Sequence, residues 1–167
     1  MKTNELFADT GYQSINHNGE ELCGDHVEVV QQGQPQGHNS KIIVLADGLG
    51  SGVKASILSI LTSTIISTML AADLKLEDAV ETIAATLPVR SDINTAFSTF
   101  TIMRIEDNQQ AQIIQYENPN VILLRDGKNY EIPTNAMRAK MAATSLRWML
   151  DPGLKLCLLS PVRIPAR

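Results

Sequence analysis

One junction constrains this chain more than any other stretch. The segment Lys41-Ile42-Ile43-Val44-Leu45-Ala46, a lysine followed by an unbroken apolar run, ends abruptly in Asp47-Gly48-Leu49-Gly50-Ser51-Gly52. A short apolar run with turn signals on both sides reads as a strand buried on both faces. From Lys54 the period changes: Ile57, Leu58, Leu61, Ile65, Met69 and Ala72 recur at spacings of three or four. That stripe predicts an amphipathic helix with its many Ser and Thr residues lying off the apolar face. The chain therefore runs from a buried strand through an acidic, glycine-rich turn into a helix. Glycines there permit positive φ and let the backbone approach a ligand without a Cβ in the way. Asp47 adds a hard oxygen ligand of the kind Mg²⁺ and Mn²⁺ prefer.

The remaining segments fill in around this junction. Gly11-Tyr12-Gln13-Ser14-Ile15 alternates weakly and reads as a strand, followed by the turn His17-Asn18-Gly19-Glu20. Val27-Glu28-Val29 alternates as a half-buried strand does, and the two segments are candidates to pair as a hairpin. Gln31 to Ser40, with Gln, Gly, Asn and Pro35, reads as a loop. A second helix is predicted over Leu76 to Leu87, with Ala79, Val80, Ile83 and Leu87 on one side and Pro88 closing it.

Strand-like runs follow. Phe97 to Ile105 is read with Thr99, Thr101 and Met103 on one face and Phe100, Ile102 and Ile105 on the other. Ala111 to Tyr116 and Val121 to Leu124 flank the turn Glu117-Asn118-Pro119-Asn120, and Asp126-Gly127 marks a hairpin into Tyr130-Glu131-Ile132. Met137 to Leu150 reads as a helix ended by Asp151-Pro152-Gly153, and Leu154 to Leu159 as one more buried strand. Strands, two helices, then more strands fit an α+β layered domain better than alternating βαβ units.

Composition narrows the function classes. A length of 167 residues suits a single domain, 1-167. The net charge of −4 and the scattered Lys and Arg provide no basic stripe, so nucleic acid is not an expected partner. The two cysteines, Cys23 and Cys157, form neither a zinc spacing nor a disulfide framework and suit a reducing cytoplasm. The start Met1-Lys2-Thr3-Asn4-Glu5 lacks the pattern of a secretory signal. Ala55 to Ala72 is the one candidate membrane segment, but its Ser and Thr favour a buried helix, so a membrane is not expected as a partner.

A second acidic signal is Cys23-Gly24-Asp25-His26, again a glycine beside an aspartate at the start of a strand. Asp25 and Asp47, at the ends of adjacent strands, are candidates to converge on one metal. Both also admit plainer readings. Asp-Gly is a common turn, as at Asp126-Gly127, and an aspartate often caps a strand. The glycine-rich turn before a helix also fits a phosphate cradle, the site of a phosphate- or nucleotide-binding α/β domain, although neither a GxGxxG pattern nor a Walker lysine is present. His26 is a further candidate ligand, but an isolated histidine more often has a structural role. His17 and His38 lie in loops.

Three segments together resemble one family. Cys23-Gly24-Asp25-His26-Val27-Glu28-Val29-Val30, then Val44-Leu45-Ala46-Asp47-Gly48-Leu49-Gly50-Ser51-Gly52, then Tyr116-Glu117-Asn118-Pro119-Asn120-Val121-Ile122-Leu123-Leu124-Arg125-Asp126-Gly127-Lys128 are similar to the type 2C-like, metal-dependent serine/threonine phosphatases. The bacterial branch similar to stage II sporulation protein E is the nearest. The resemblance spans about Gly11 to Ile132 and implies an α+β fold, a β-sandwich flanked by helices in αββα layers. It implies two sites for Mn²⁺ or Mg²⁺, with Asp47 bridging the metals, Gly48 giving its main-chain carbonyl and Asp25 supporting one metal directly or through water. A metal pair of this kind activates water and clamps both oxygens of an in-line displacement. The implied substrate is a phosphorylated regulatory protein such as an anti-sigma-factor antagonist.

The chain also departs from that family. Relatives carry a further strand ending in Ser-Asp-Gly, and often another aspartate beyond it. Here the corresponding Leu156-Cys157-Leu158-Leu159-Ser160 runs into Pro161-Val162-Arg163 with no Asp or Gly, and Asp151 is the one acid nearby. Residues 135-167 are thus divergent or truncated. Loss of one carboxylate predicts weak or single-metal binding and reduced turnover. Two readings therefore stand side by side: an active phosphatase, and a catalytically impaired, partner-binding module of the same fold.

Overall fold

The computed structural model describes residues 7–16, 18–33, 39–86, 89–90, 95–96, 98–129, 135–136, 144–149 and 154–158. Its centre is the predicted buried strand. In order, the elements are β1 (Asp25–Gly33), β2 (Asn39–Gly48), α1 (Gly52–Ala71), α2 (Leu76–Thr86), β3 (Val89–Arg90), β4 (Thr95–Ala96), β5 (Ser98–Glu106) and β6 (Gln110–Tyr116). β7 (Ile122–Arg125), β8 (Lys128–Asn129), β9 (Asn135–Ala136), β10 (Thr144–Met149) and β11 (Leu154–Cys157) follow. β1, β2, β5, β6, β10 and β9 form an antiparallel sheet in that order, and β11, β7 and β8 form a second, three-stranded one. β3 and β4 pair with each other.

The strand period of two divides the large sheet into two apolar faces. Ile42, Val44 and Ala46 of β2 join Phe100, Ile102, Ile114 and Tyr116 on one face, packed against Ile66 and Leu70 of α1 and Leu76, Ala79, Val80 and Ile83 of α2. Phe100 and Tyr116 are direct cross-strand partners with ring centroids 5.5 Å apart. Ile43, Met103, Ile105, Ala111 and Ile113 form the other face. Val121, just before β7, and Leu158, just after β11, pack on it from the second sheet's side. Ile105 therefore lies with Met103, not with Phe100, because the strict alternation of β5 runs to its end. The described residues thus form a helical layer, a six-stranded sheet and a three-stranded sheet, an α+β arrangement as expected from the element order.

Helix α1 forms where the sequence places it, but it is rotated so that its Ser and Thr side faces the sheet. Ile65 and Met69 of the expected stripe pack at the edge of the core. Its buried residues are Gly52, Ala55, Ser59, Thr62, Ser63, Ile66, Ser67 and Leu70. Ile57 and Leu61 of the predicted inner stripe are 59% and 47% exposed, beside exposed Val53 and Ile60. The hydroxyls make this rotation tolerable. Ser59 donates to Ser56 O at 3.0 Å, Thr62 to Leu58 O at 2.8 Å, Ser63 to Ile60 O at 3.0 Å and Ser67 to Thr64 O at 3.1 Å. A hydroxyl satisfied by its own helix carries little desolvation penalty, and its small volume lets the helix lie close to the sheet. The helix is long and apolar enough to cross a membrane by length and composition alone, yet here it packs on β1 and β2.

It ends at Asp73, φ 59°, with Leu74 N–H bonded to Met69 O at 3.3 Å and Asp73 N–H to Leu70 O at 3.1 Å. This is a left-handed stop of the Schellman type, with aspartate in the place glycine usually takes. α2 then places Glu77 and Asp78 in its first turn, where the helix dipole favours negative charge.

Other expectations need correction. Residues 11–15 form no strand; Tyr12 and Ile15 are exposed, and β1 pairs with β2 instead. The expected Gln31–Ser40 loop is narrower, because pairing continues to Gly33 and resumes at Asn39. Within the predicted Met137–Leu150 helix, Thr144–Met149 is strand β10, paired with β6; pairing with a sheet edge overrides helix propensity. β11 forms, but Lys155 and Cys157 are exposed because it lies in the small sheet. The Asp126-Gly127 hairpin is present, with both residues at positive φ and β7 paired to β8. Leu87, Pro88, Phe97, Tyr130 to Ile132, Met137 to Ala143, Leu150 to Gly153 and Leu159 to Arg167 lie outside the described residues.

The rotated helix has a measurable signature. Ser59→Leu, which forces volume against the sheet, is expected to lower the free energy of unfolding by about 1–3 kcal/mol. Ile57→Gln is expected to change it by no more than about 0.5 kcal/mol, both measured by urea denaturation.

Candidate metal site

β1 and β2 are registered so that Asp25 and Asp47 are direct cross-strand partners, and Thr99 of β5 is the partner of Asp47 on its other side. Cross-strand partners project from the same face of a sheet, with Cβ atoms about 4.5–5.5 Å apart. The row Asp25, Asp47, Thr99 therefore lies on the face that carries Val27, Ile43 and Met103, turned away from the helices. Asp47 is only 4% exposed, whereas Asp25 is half-buried. The two sequence candidates are brought together at one end of the large sheet.

Several contacts hold the Asp47 backbone in place. Ser98 Oγ donates to the main-chain oxygen of Asp47 at 3.0 Å, and Gly48 N–H donates to Gly24 O at 3.0 Å. Cys23 fastens the start of β1: its Sγ donates to Ile15 O and accepts from Asp25 N–H, both at 3.5 Å. Neither Cys23 nor Cys157 is in a disulfide.

Gly48 has a steric reason to be glycine. A Cβ there would lie 2.0 Å from Ala55 O and 2.8 Å from Ala55 Cα, so the first turn of α1 rests directly on the end of β2. At Gly24 a Cβ would meet Ala55 Cβ at 3.2 Å. Gly52 takes φ 66°, a conformation that favours glycine. Gly24 and Gly48 therefore serve the approach of helix to sheet, on the face opposite the Asp47 carboxylate.

Glu20 was not singled out by sequence. It comes from the turn ahead of β1, accepts the Ser51 hydroxyl hydrogen at 2.8 Å, and sits with its carboxylate beside Gly52. It thus lies at the positive end of the α1 dipole. Ser51 precedes α1 without capping it through its side chain. The acidic Asn-Gly-Glu-Glu turn was a visible signal, but nothing in the sequence joins it to residue 51.

His26 is placed on the opposite face from Asp25. Its Nδ1 lies 2.8 Å from Ser63 Oγ of α1 and 4.0 Å from Glu28. Ser63 already donates to Ile60 O, so the histidine Nδ1–H is the donor in this contact. That is a strand-to-helix tie, the structural role expected of an isolated histidine.

The turn at Asn118-Pro119 also reaches the site. Thr99 Oγ1 donates to Asn118 Oδ1 at 2.6 Å, and Asn118 Nδ2 donates to Thr101 Oγ1 at 3.0 Å. Gln115 Nε2 donates to Pro119 O at 2.6 Å, and Val121 N–H donates back to Gln115 Oε1 at 3.4 Å. Thr99, Thr101 and Gln115 are all buried. A polar floor thus extends from Asp47 under the β6–β7 turn.

As a donor set, one buried and one half-buried carboxylate on neighbouring strands fit a single hard divalent cation. Mg²⁺ commonly binds through one or two carboxylates and keeps several waters. Among the described residues, no group of three or more His, Cys, Asp or Glu is placed to hold a metal.

Over residues 37–160 the sequence matches the family described as stage II sporulation protein E (SpoIIE). The chain belongs to the SpoIIE family. Solved structures of phosphatase domains share its fold. The PP2C phosphatase domain of the cell-fate determinant SpoIIE from Bacillus subtilis, solved with a fragment of its regulatory domain, superposes with a TM-score of 0.69. That match has 15% identity and covers 86% of this chain and 43% of that one. RsbX in complex with magnesium gives a TM-score of 0.64 and 20% identity over 86% of this chain and 69% of its own. The RsbU and RsbW domains of a Mycobacterium tuberculosis protein give 0.64 and 16% over 85% and 40%. The chain thus spans less than half the length of two of these three. No curated protein sequence matches it. The expected family and the α+β, PP2C-like fold both hold.

The packing at Gly48 yields a direct test. Gly48→Ala is expected to lower the free energy of unfolding by about 3 kcal/mol, the upper end for an inserted methyl, because the obstacle is backbone. Chemical denaturation of the purified variant beside the parent measures it.

Proposed function

We propose that this SpoIIE-family domain is a metal-dependent protein serine/threonine phosphatase. Its substrate would be a phosphorylated regulatory protein such as an anti-sigma-factor antagonist. The observation that carries this reading is the pairing of Asp25 with Asp47 across β1 and β2. The family match and the magnesium complex of the similar RsbX support the same chemistry.

In this reading Asp47, Asp25 and the main-chain carbonyl of Gly48 hold Mn²⁺ or Mg²⁺. A cation held there supplies Lewis acidity and lowers the pKa of attacking water. The protein's own part is positional. Asp47 is clamped by Ser98 and by the Gly24–Gly48 bond, so its carboxylate is delivered with little freedom. Asp25, more exposed, completes the donor set from the neighbouring strand. No covalent intermediate is required of either cysteine.

A second reading keeps the fold as a partner-binding module with little turnover. It is favoured by one observation: among the described residues, the acids do not reach the number a two-metal centre needs.

Hydrolysis of p-nitrophenyl phosphate separates the two. For a phosphatase, activity is expected to depend on added Mn²⁺, and Asp47→Asn is expected to lower it by about 100-fold or more. An inert parent at high Mn²⁺ would leave only the module.

A further inference from the structure

The polar floor beneath Asp47 carries an inference that rests on the metal-site reading and extends it. Thr99 stands opposite Asp47, on the same face of the sheet, and is buried. Its hydroxyl hydrogen is committed to Asn118 Oδ1 at 2.6 Å, an oxygen that only accepts. Asn118 is itself oriented by its second bond, from Nδ2 to Thr101 Oγ1. With its hydrogen so committed, the Thr99 oxygen is left with lone pairs alone toward any other neighbour.

A small divalent cation bound through two carboxylates retains water, and those waters need acceptors around them. We propose that Thr99 and Asn118 are a positioning pair for the cation at Asp47: Asn118 fixes the Thr99 hydroxyl as an acceptor for water that stays with the cation. The turn that carries Asn118 is held for this purpose from below, because Gln115 bonds to both Pro119 and Val121. Thr101 belongs to the same network but lies one rung further from Asp47, opposite Leu45. It orients the amide without facing the site, and this difference between two threonines on one strand makes the inference testable.

The experiment is a Mn²⁺ titration followed by the loss of the free-ion electron paramagnetic resonance signal, which reads binding without turnover. Parent, Thr99→Val, Thr99→Ser, Thr101→Val, Asn118→Ala and the double variant Thr99→Val/Asn118→Ala are compared, with thermal melts for each. Thr99→Val and Asn118→Ala are each expected to weaken Mn²⁺ binding about 10-fold, the low end for an outer-shell partner. The double variant is expected to be no weaker than the worse single, since the two act as one unit. Thr99→Ser, which keeps the hydroxyl, is expected to stay within about 2-fold of the parent. Thr101→Val, which loosens the amide but leaves the Thr99–Asn118 bond, is expected to fall between the parent and Thr99→Val.

Three results overturn the pairing while leaving the metal site standing: parent-like binding by Thr99→Val and Asn118→Ala, additive losses in the double variant, or a loss in Thr101→Val equal to that in Thr99→Val. A parent that binds no Mn²⁺ overturns the metal site itself, and the pair's role with it.

Discussion

The end of β2 touches the first turn of α1 through backbone alone, and the rest of the molecule is arranged around that contact. No side chain fits between Gly48 and Ala55, so the helix settles at the distance set by two main chains. That distance explains why the sheet-facing side of α1 is built of Gly, Ala, Ser and Thr before it reaches Ile66 and Leu70. It also explains why Gly24 and Gly48 sit opposite each other at the ends of β1 and β2. Small residues here serve proximity, and the proximity delivers Asp47 with a fixed backbone into the row it shares with Asp25 and Thr99. A helix standing further off would leave the strand ends free to fray, since terminal rungs of a sheet have the least to hold them.

Within that frame the two faces of the sheet are given different work. The helical face is apolar through its middle along β2, β5 and β6, with Arg104 and Gln112 reaching the helices at its far end. The other face is apolar at one end, with Ile43, Met103, Ile105 and Ile113, and polar at the other, with Asp25, Asp47, Thr99, Thr101 and Gln115. Burying so many polar groups is tolerable only where they bond to one another, and the threonines, Asn118 and Gln115 do so.

Much of this was legible in the sequence. The continuous apolar run before Asp47 is what a strand covered on both faces requires, and every residue from Ile42 to Gly48 is buried. Two Gly-Asp or Asp-Gly signals on neighbouring strands were enough to place Asp25 beside Asp47. The failures have physical causes. Periodicity assumes that apolar residues face inward, but in α1 the hydroxyls are satisfied by their own helix and take the inner side. The segment around Met137 to Leu150 has helix-forming composition, yet the edge of β6 claims Thr144–Met149 as a strand. Glu20 and Asn118 act through contacts with residues far along the chain, at Ser51 and at Thr99 and Thr101, and no local pattern encodes such meetings. The alternation of Thr99, Thr101 and Met103 did put both threonines on one face, but not what they would hold.

The reach of Asn118 has a consequence for how the sheet assembles. One amide spans two successive same-face positions of β5, which lie about 6.8 Å apart along the strand. It can satisfy both only if the β6–β7 turn stands at one height beside β5. Were β5 to slide by a single residue, Phe100 and Ile102 would take the places of Thr99 and Thr101, and the amide would meet hydrocarbon. Asn118 thus works as a gauge: the polar floor closes over a correctly aligned strand and stays open over a misaligned one. The residues that tend the site are also those that certify the alignment of the sheet beneath it.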